Sequence, residues 1–508
     1  MHQHSKSTGS ATLFMVVILV FLSLYALLFP SMGSAGQLES AEFSQEIDAF
    51  VQTQMERHGI VGLAVTITQD DQLLYVGAYG QADERRPVEA STPFYLGSVT
   101  KSFTALAVMQ LVDAGKLKLD APVQRYIPWF RVADALESQT ITVRDLLNQT
   151  SGLSRTSVQS VDLKREAGLE QAVRTLQDAR LSATPGTRFQ YANENYTILG
   201  LLIEEVSGQS YDEYMRDHIF TPLDMQTTFT KRASAEQAGL AQGYNTFFGF
   251  PFARPQPHLR YDLPAGFMIS SAQDLSHYLI AQLNRGIYQG RQVVSRNSLA
   301  LMHQSPDDIP GNYAMGWEQV QIEGHDAIRH DGTLETFYSS IILLPESDTG
   351  IALLINQVSF AHMALAYNDI TAGILKILTG SEPQTGFSTR TANLIFALVA
   401  FASLSLQVRE ILQIQGWQAK AARQKPWQVW LSILWKVSFG LIALIVLPWI
   451  LIASAGLQVT RVSFLNYMPD VTLWVALMAA LSLVEGLRKG LLFLRQRNTA
   501  HLGKCASY

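Results

Sequence analysis

The chain has 508 residues, 48% of them hydrophobic and 16% charged, with a formal net charge of −5 and a single cysteine, Cys505. That length exceeds one ordinary domain, and the excess of apolar over charged residues points to a membrane component. The near-neutral balance speaks against a nucleic-acid partner, and a lone cysteine excludes a disulfide framework or a cysteine-based metal site.

At the N-terminus, Lys6 precedes an apolar core from about Ala11 to Leu28, and the small residues Gly33, Ser34 and Ala35 follow. This is the layout of a secretory signal over residues 1–35, with cleavage after Ala35. The core is also long enough to stay as an uncleaved anchor. Either way, the region that follows is expected to be exported.

Residues 36–380 mix strand and helix patterns and are numerous enough to bury a substantial core. The run 60–80 (IVGLAVTITQDDQLLYVGAYG) predicts two strands joined by a polar turn. The stretch 94–120 (FYLGSVTKSFTALAVMQLVDAGKLKLD) predicts a short apolar run, a glycine and an amphipathic helix opening on Ser98. Further helices are expected from Thr142 and Tyr196, the latter after a short polar turn holding Tyr191 and Asn193. The run 325–356 predicts strands again, with Pro345 to Gly350 as a turn, and sets His330 and Gly332 at a strand start. Strands at both ends with helices between predict an α+β fold, an antiparallel sheet flanked by helices plus a helical part.

Three apolar segments follow, at 391–408, 430–456 and 471–490, each about the ~20 residues that a spanning helix needs. The second carries one lysine near its start and the third one glutamate near its end. They predict a three-helix transmembrane domain over 390–492 and a tail over 493–508. Arg409, Lys420, Arg423 and Lys425 lie between the first two, and Arg488, Lys489, Arg495, Arg497 and Lys504 follow the third. The loop between the second and third has Arg461 and Asp470. The positive-inside rule then puts the basic loop and the tail in the cytoplasm and residues before 391 outside.

The chemistry centres on Ser98 and Lys101. A serine hydroxyl is a poor nucleophile until a neighbouring base takes its proton. Side chains at i and i+3 on a helix share a face, with Cβ atoms ~5–6 Å apart, so Lys101 can reach Ser98. A helix start also offers free backbone N–H groups to a developing oxyanion. Spacing alone favours an N-cap serine and a solvated first-turn lysine, because Ser-x-x-Lys is easily found in a long chain. The histidines lack ligand spacing, so neither a metal nor another cofactor is expected.

Ser98-x-x-Lys101, Tyr191-x-Asn193 and His330-x-Gly332 occur in the order of the motifs of the serine β-lactamase and penicillin-binding-protein superfamily. With the flanking runs 141–154, 221–228, 263–279 and 313–317, the chain resembles the class C-like branch of that superfamily over roughly 43–358. The resemblance implies a β-lactamase/DD-peptidase-like domain with Ser98 as acyl-accepting nucleophile. Lys101 would share its proton, and Tyr191 would act as partner base and as acid to the leaving amine. Asn193 would hold the substrate amide carbonyl, and His330 would line the site and keep Tyr191 reactive. The backbone N–H groups of Ser98 and Thr333 would form the oxyanion hole, beside Gly332, whose missing side chain would let a substrate backbone lie close. Glu335 would add a carboxylate near the acyl pocket, either accepting from an asparagine side chain or favouring a cationic group. Asn195 and Thr336 stand where many relatives have glycine, and asparagine tolerates a left-handed backbone better than threonine does.

An exported hydrolase followed by spanning helices also resembles the membrane-bound, prodrug-activating D-asparaginyl peptidases of natural-product assembly lines, the colibactin-maturing group among them. That resemblance implies removal of an N-acyl-D-asparagine cap from an amphiphilic peptide–polyketide precursor, at the periplasmic face of a bacterial inner membrane. The implied partners are this substrate, the lipid bilayer and a second protomer through the membrane helices. A D,D-peptidase, an esterase or a β-lactamase-like hydrolase would use the same Ser98, since the scaffold alone does not choose a substrate.

Overall fold

The computed structural model describes residues 40–154, 163–454 and 467–505. The expected leader, the end of the second apolar segment and the loop holding Arg461 lie outside them.

The first strands, β1 (Gly62–Gln69) and β2 (Gln72–Gly80), turn tightly on each other as the alternation of 60–80 requires. Four more strands come some 240 residues later in the numbering: β3 (Glu318–Ile322), β4 (His325–Thr333), β5 (Tyr338–Leu344) and β6 (Thr349–Ile355). Together they form one antiparallel sheet of order β2-β1-β6-β5-β4-β3. The first strand therefore pairs with the last, Leu63 opposite Ile355, and closes the fold around the helical segment between.

Both faces of the central strands are buried. Leu63, Val65 and Ile67 point to a layer made by α1 (Ser40–His58), where Phe43, Ile47 and Val51 meet Ile370 and Ile374 of a helix near the end of the domain. Ala64, Ala352 and Leu354 point to the other layer, which holds the helical part. At its centre lies α2 (Thr100–Asp113). The expected amphipathic helix is instead buried on all sides from Thr100 to Met109. Its polar groups are satisfied within the protein: Ser102 Oγ donates to Val99 O at 2.9 Å and Thr104 Oγ1 to Pro264 O at 2.7 Å. Beside it packs α3 (Asn193–Ser207), closed by Gly208 in the left-handed region.

A three-stranded sheet sits at one edge. Its parallel pair is Gln357–Val358 with Tyr244–Phe247, and Tyr244–Phe247 forms a hairpin with Phe250–Ala253.

Beyond the domain run α4 (Thr389–Leu412), α5 (Pro426–Ser454) and α6 (Pro469–Cys505). Among the described residues, two helices are long and apolar enough to cross a membrane, Thr389–Leu412 and Pro469–Asn498. The expected middle segment, 430–456, forms α5 up to Ser454. Lys436 of α5 bridges Glu410 at 2.5 Å and Glu485 at 3.3 Å, and Lys489 also pairs with Glu485, a fully buried carboxylate. The helices are bolted to the α+β domain at the end of α1. Arg57 Nη2 donates to Gly386 O at 2.5 Å, Ser388 Oγ to Arg57 O at 2.6 Å, and His58 Nδ1 lies 2.8 Å from Thr389 Oγ1.

Candidate active site

Ser98 stands on a single 3-10 turn, Gly97–Val99, that leads into α2. The turn is pressed against the end of β4. A Cβ on Gly332 would lie 1.9 Å from the Leu96 carbonyl oxygen, and one on Gly97 would lie 2.8 Å from the Thr333 nitrogen. Ser339 Oγ donates to the same Leu96 oxygen at 2.5 Å. The missing side chain of Gly332 thus makes room for the turn that carries the serine. His330 and Gly332 also close a strand rather than open one, because β4 already pairs with β3 from His325.

One helical turn on, Lys101 is fully buried. Its Nζ donates to Ser98 Oγ at 3.1 Å, Asn193 Oδ1 at 2.8 Å and Ala265 O at 2.6 Å. Three acceptors match the three protons of an ammonium. The Tyr191 ring centre lies 4.8 Å from the same nitrogen, and Tyr191 stands edge-on to Tyr313 at 5.9 Å. Ser98, Lys101, Tyr191 and Asn193 therefore come together around one amine.

Asn193 is the first residue of α3, and both ends of its amide are engaged: Oδ1 by Lys101, and Nδ2 by donation to Asp262 Oδ2 at 3.1 Å. Asp262 was not singled out from the sequence. It closes the 3-10 turn Arg260–Asp262 just before the run 263–279, and its only signal in the sequence is an acid before Leu-Pro-Ala-Gly. Enclosure by protein pushes its carboxyl up to about 7 against the pull of the Lys101 charge, although the residue keeps part of its surface in solvent.

His330 is buried behind Tyr313, which touches both His330 and Tyr191. Its Nδ1 donates to Asp331 O at 2.7 Å, leaving Nε2 to accept from Tyr313 Oη at 3.4 Å. Burial first, and the Lys101 charge second, push it down to about 3, so it stays neutral near pH 7. Tyr313 thus lies between His330 and Tyr191.

Thr333 ends β4 with its nitrogen beside Gly97, next to the nucleophile turn. Two residues on, the Glu335 carboxylate pairs with Arg254 at 2.9 Å, so the acid near the pocket is already partnered by a cation. Thr336 is buried, with Oγ1 donating to Gln256 Oε1 at 2.9 Å, and Asn195 donates to Gln149 Oε1 at 2.5 Å. Neither has a positive φ, so no left-handed backbone is needed where relatives carry glycine. A cleft of about 780 Å³ at the far end of α2, lined by Gln110, Asp113 and His218, includes none of these groups.

A serine on a turn beside a sheet edge, with a buried lysine one turn on and a tyrosine facing that lysine, is the arrangement found in serine acyl hydrolases of this fold. Residues 47–374 match the Beta-lactamase family model, and the chain belongs to that family of β-lactamase and penicillin-binding-protein-like serine hydrolases. It is 32% identical over 317 residues to Protein flp of Staphylococcus aureus, covering 61% of this chain and 63% of that one. The chain thus spans less than two thirds of the length of that relative. It is 30% identical over 339 residues to penicillin-binding protein 4 of Amycolatopsis lactamdurans, covering 63% and 85% of the two chains. Among solved structures, the octameric penicillin-binding protein homologue from Pyrococcus abyssi matches with a TM-score of 0.57 and 28% identity, over 67% of this chain and 78% of that one. EstCE1, a hydrolase with promiscuous acyltransferase activity, shares the fold with a TM-score of 0.56 and 22% identity, over 66% and 99%.

Proposed function

We propose that this protein is a membrane-tethered serine peptidase that removes an N-acyl-D-amino-acid cap, N-acyl-D-asparagine in particular, from an exported amphiphilic natural-product precursor. The observation that carries the hydrolytic part is the 3.1 Å contact of Lys101 Nζ with Ser98 Oγ inside a buried cluster. Ser98 Oγ attacks the scissile carbonyl while its proton passes to the Lys101–Tyr191 pair. The N–H groups of Ser98 and Thr333 receive the oxyanion. Tyr191 returns a proton to the leaving amine, the C–N bond breaks and an ester to Ser98 remains. Water then attacks that ester by the same route in reverse.

The choice of substrate has two supports. The Glu335–Arg254 pair, two residues beyond Thr333, offers a carboxylate acceptor and a guanidinium donor, the complement of a side-chain amide. The apolar helices fixed to the domain suit a substrate whose acyl chain sits in lipid. On this reading the domain faces the periplasm, the basic tail lies in the cytoplasm, and a second copy joins through the membrane helices. A second reading, a membrane-anchored D,D-peptidase or esterase, is favoured by the match to a penicillin-binding protein.

The test is mass spectrometry of products from the detergent-solubilised protein, given N-acyl-D-asparaginyl and N-acyl-L-asparaginyl amides, with Ser98→Ala as control. Serine-dependent release of the acyl-D-asparagine alone supports the peptidase. If neither amide is cut while a β-lactam or an activated ester labels Ser98, the second reading takes its place.

A further inference from the structure

We propose that the hairpin Tyr244–Phe247/Phe250–Ala253 is an interfacial membrane element that seats Phe250 and Phe252 in the outer layer of a phospholipid bilayer. This rests on the reading that α4 and α6 span the membrane, and goes beyond it by giving the hydrolytic domain its own contact with lipid.

Position is the first argument. The Phe248 ring stacks on Phe396 of α4, with ring centres 5.5 Å apart and planes 11° apart. Its backbone nitrogen donates to Asp470 Oδ2 at the start of α6 at 3.1 Å. A Cβ on Gly249 would lie 3.2 Å from Asn393 Cβ. The hairpin turn is thus held between the entry turns of two apolar helices. Phe396 lies seven residues past Thr389, ~10 Å along the axis at 1.5 Å per residue. The turn therefore stands level with the beginning of the apolar segment, not above it.

Chemistry is the second. Phe250 is 75% exposed and Phe252 39%, and as alternate residues of one strand they share a face. At the same level, round the side of α4 away from Phe396, Leu394, Ile395 and Leu398 are also exposed, so apolar side chains surround the junction of hairpin and helix. A contiguous patch of large apolar side chains is rare on a surface that meets only water, and aromatic rings suit the headgroup–acyl boundary. The outer strand is also the edge of its sheet, and Pro251 within it has no N–H to leave unpaired near lipid.

The chain leaves the hairpin directly into the site. Arg254 pairs with Glu335, Gln256 accepts from Thr336, and Asp262 accepts from Asn193. A hairpin seated in lipid would hold this rim of the site toward the bilayer, where the acyl chain of a substrate lies.

The experiment uses the full chain in phosphatidylcholine/phosphatidylglycerol nanodiscs. In a Cys505→Ser background, Phe250→Cys, Phe252→Cys, Leu398→Cys and Lys116→Cys each carry an environment-sensitive fluorophore. Lipids with a doxyl group near the headgroup are expected to quench the labels at 250 and 252 at least twofold, as at 398, and to leave the label at 116 unchanged. If the label at 398 is quenched while those at 250 and 252 answer only to aqueous iodide, the hairpin proposal is overturned and the spanning reading stands. If the label at 398 also escapes lipid quenching, the spanning reading fails and takes the hairpin proposal with it.

Discussion

The carboxylate of Asp262 and the amide of Asn193 are hydrogen-bonded at 3.1 Å, and through Asn193 Oδ1 that contact continues to Lys101. The carboxylate therefore reaches the Lys101 amine through a neutral relay rather than by direct ion pairing. Three groups from distant parts of the chain set the charge balance next to Ser98.

Asp262→Asn should show this in pH dependence. In the wild type, kcat/KM for a soluble activated ester should inflect near pH 7, where Asp262 loses its proton, and the variant should lack that inflection. A hydrogen bond to a charged group contributes ~1.5–3 kcal/mol, so a loss of about tenfold or more in rate at pH 8 is expected. Stability moves the other way. The folded state holds the Asp262 proton up to about 7, whereas an unfolded aspartate releases it near 3.8. Folding stability from this group thus falls as pH rises from about 4 to about 7 and then levels off. Melting curves at pH 5 and pH 8 should show the variant gaining on the wild type at the higher pH.

Ser98→Ala and Lys101→Ala should each reduce turnover by at least ~10³-fold, the scale seen when one member of a catalytic unit is removed. Ser98→Ala should melt as the wild type does. Lys101→Ala leaves Asn193 Oδ1 and Ala265 O without their donor, and each unmet buried acceptor costs ~1–3 kcal/mol. Near wild-type turnover in Ser98→Ala would sink the covalent mechanism.

Gly332→Ala should cost ~1–3 kcal/mol or more through overpacking, because the new methyl group meets the Leu96 carbonyl rather than a movable side chain. Activity should fall with it, as the nucleophile turn is pushed off β4. Gly168→Ala is the control, since a Cβ there meets nothing within 4 Å. Equal melting temperatures for the two variants would show that the strand and the turn are not in rigid contact.

His330 gives an acid-side signature. It stays neutral in the fold down to about 3, while an unfolded histidine takes up its proton near 6.5. Its contribution is complete above 6.5 and is lost as pH falls toward 3, on the order of 3 kcal/mol by pH 4. The melting-temperature advantage of the wild type over His330→Gln should therefore shrink steadily from pH 7 to pH 4. A constant difference across that range would mean that the imidazole titrates as an exposed one does.

Much of the sheet could be read from the sequence, because β1, β2 and the strands between 325 and 356 are apolar, β-branched runs broken by polar turns. The character of α2 could not. Ser102, Thr104 and Lys101 look like the polar side of a surface helix, and only the fold supplies the acceptors that let them be buried. Ser98, Lys101, Tyr191 and Asn193, which the fold brings together, were readable as motifs. Asp262 was not, since its partner lies 69 positions away and nothing local marks it. Glu335 lies beside the expected pocket, but its ion-pair partner Arg254 lies across a hairpin that periodicity did not reveal. The lone lysine and lone glutamate noticed in two apolar segments, Lys436 and Glu485, turn out to face each other.

The junction at the end of α1 has a practical side. Arg57 and His58 find their partners in Gly386, Ser388 and Thr389, so ties of the α+β domain are supplied by the opening of α4. A shortened chain that stopped at the obvious composition change, near residue 385, would strip an arginine of its acceptor and a buried imidazole of its partner, and leave a raw edge on α1. The cut for a soluble version belongs past Thr391, whose nitrogen is still capped by Ser388.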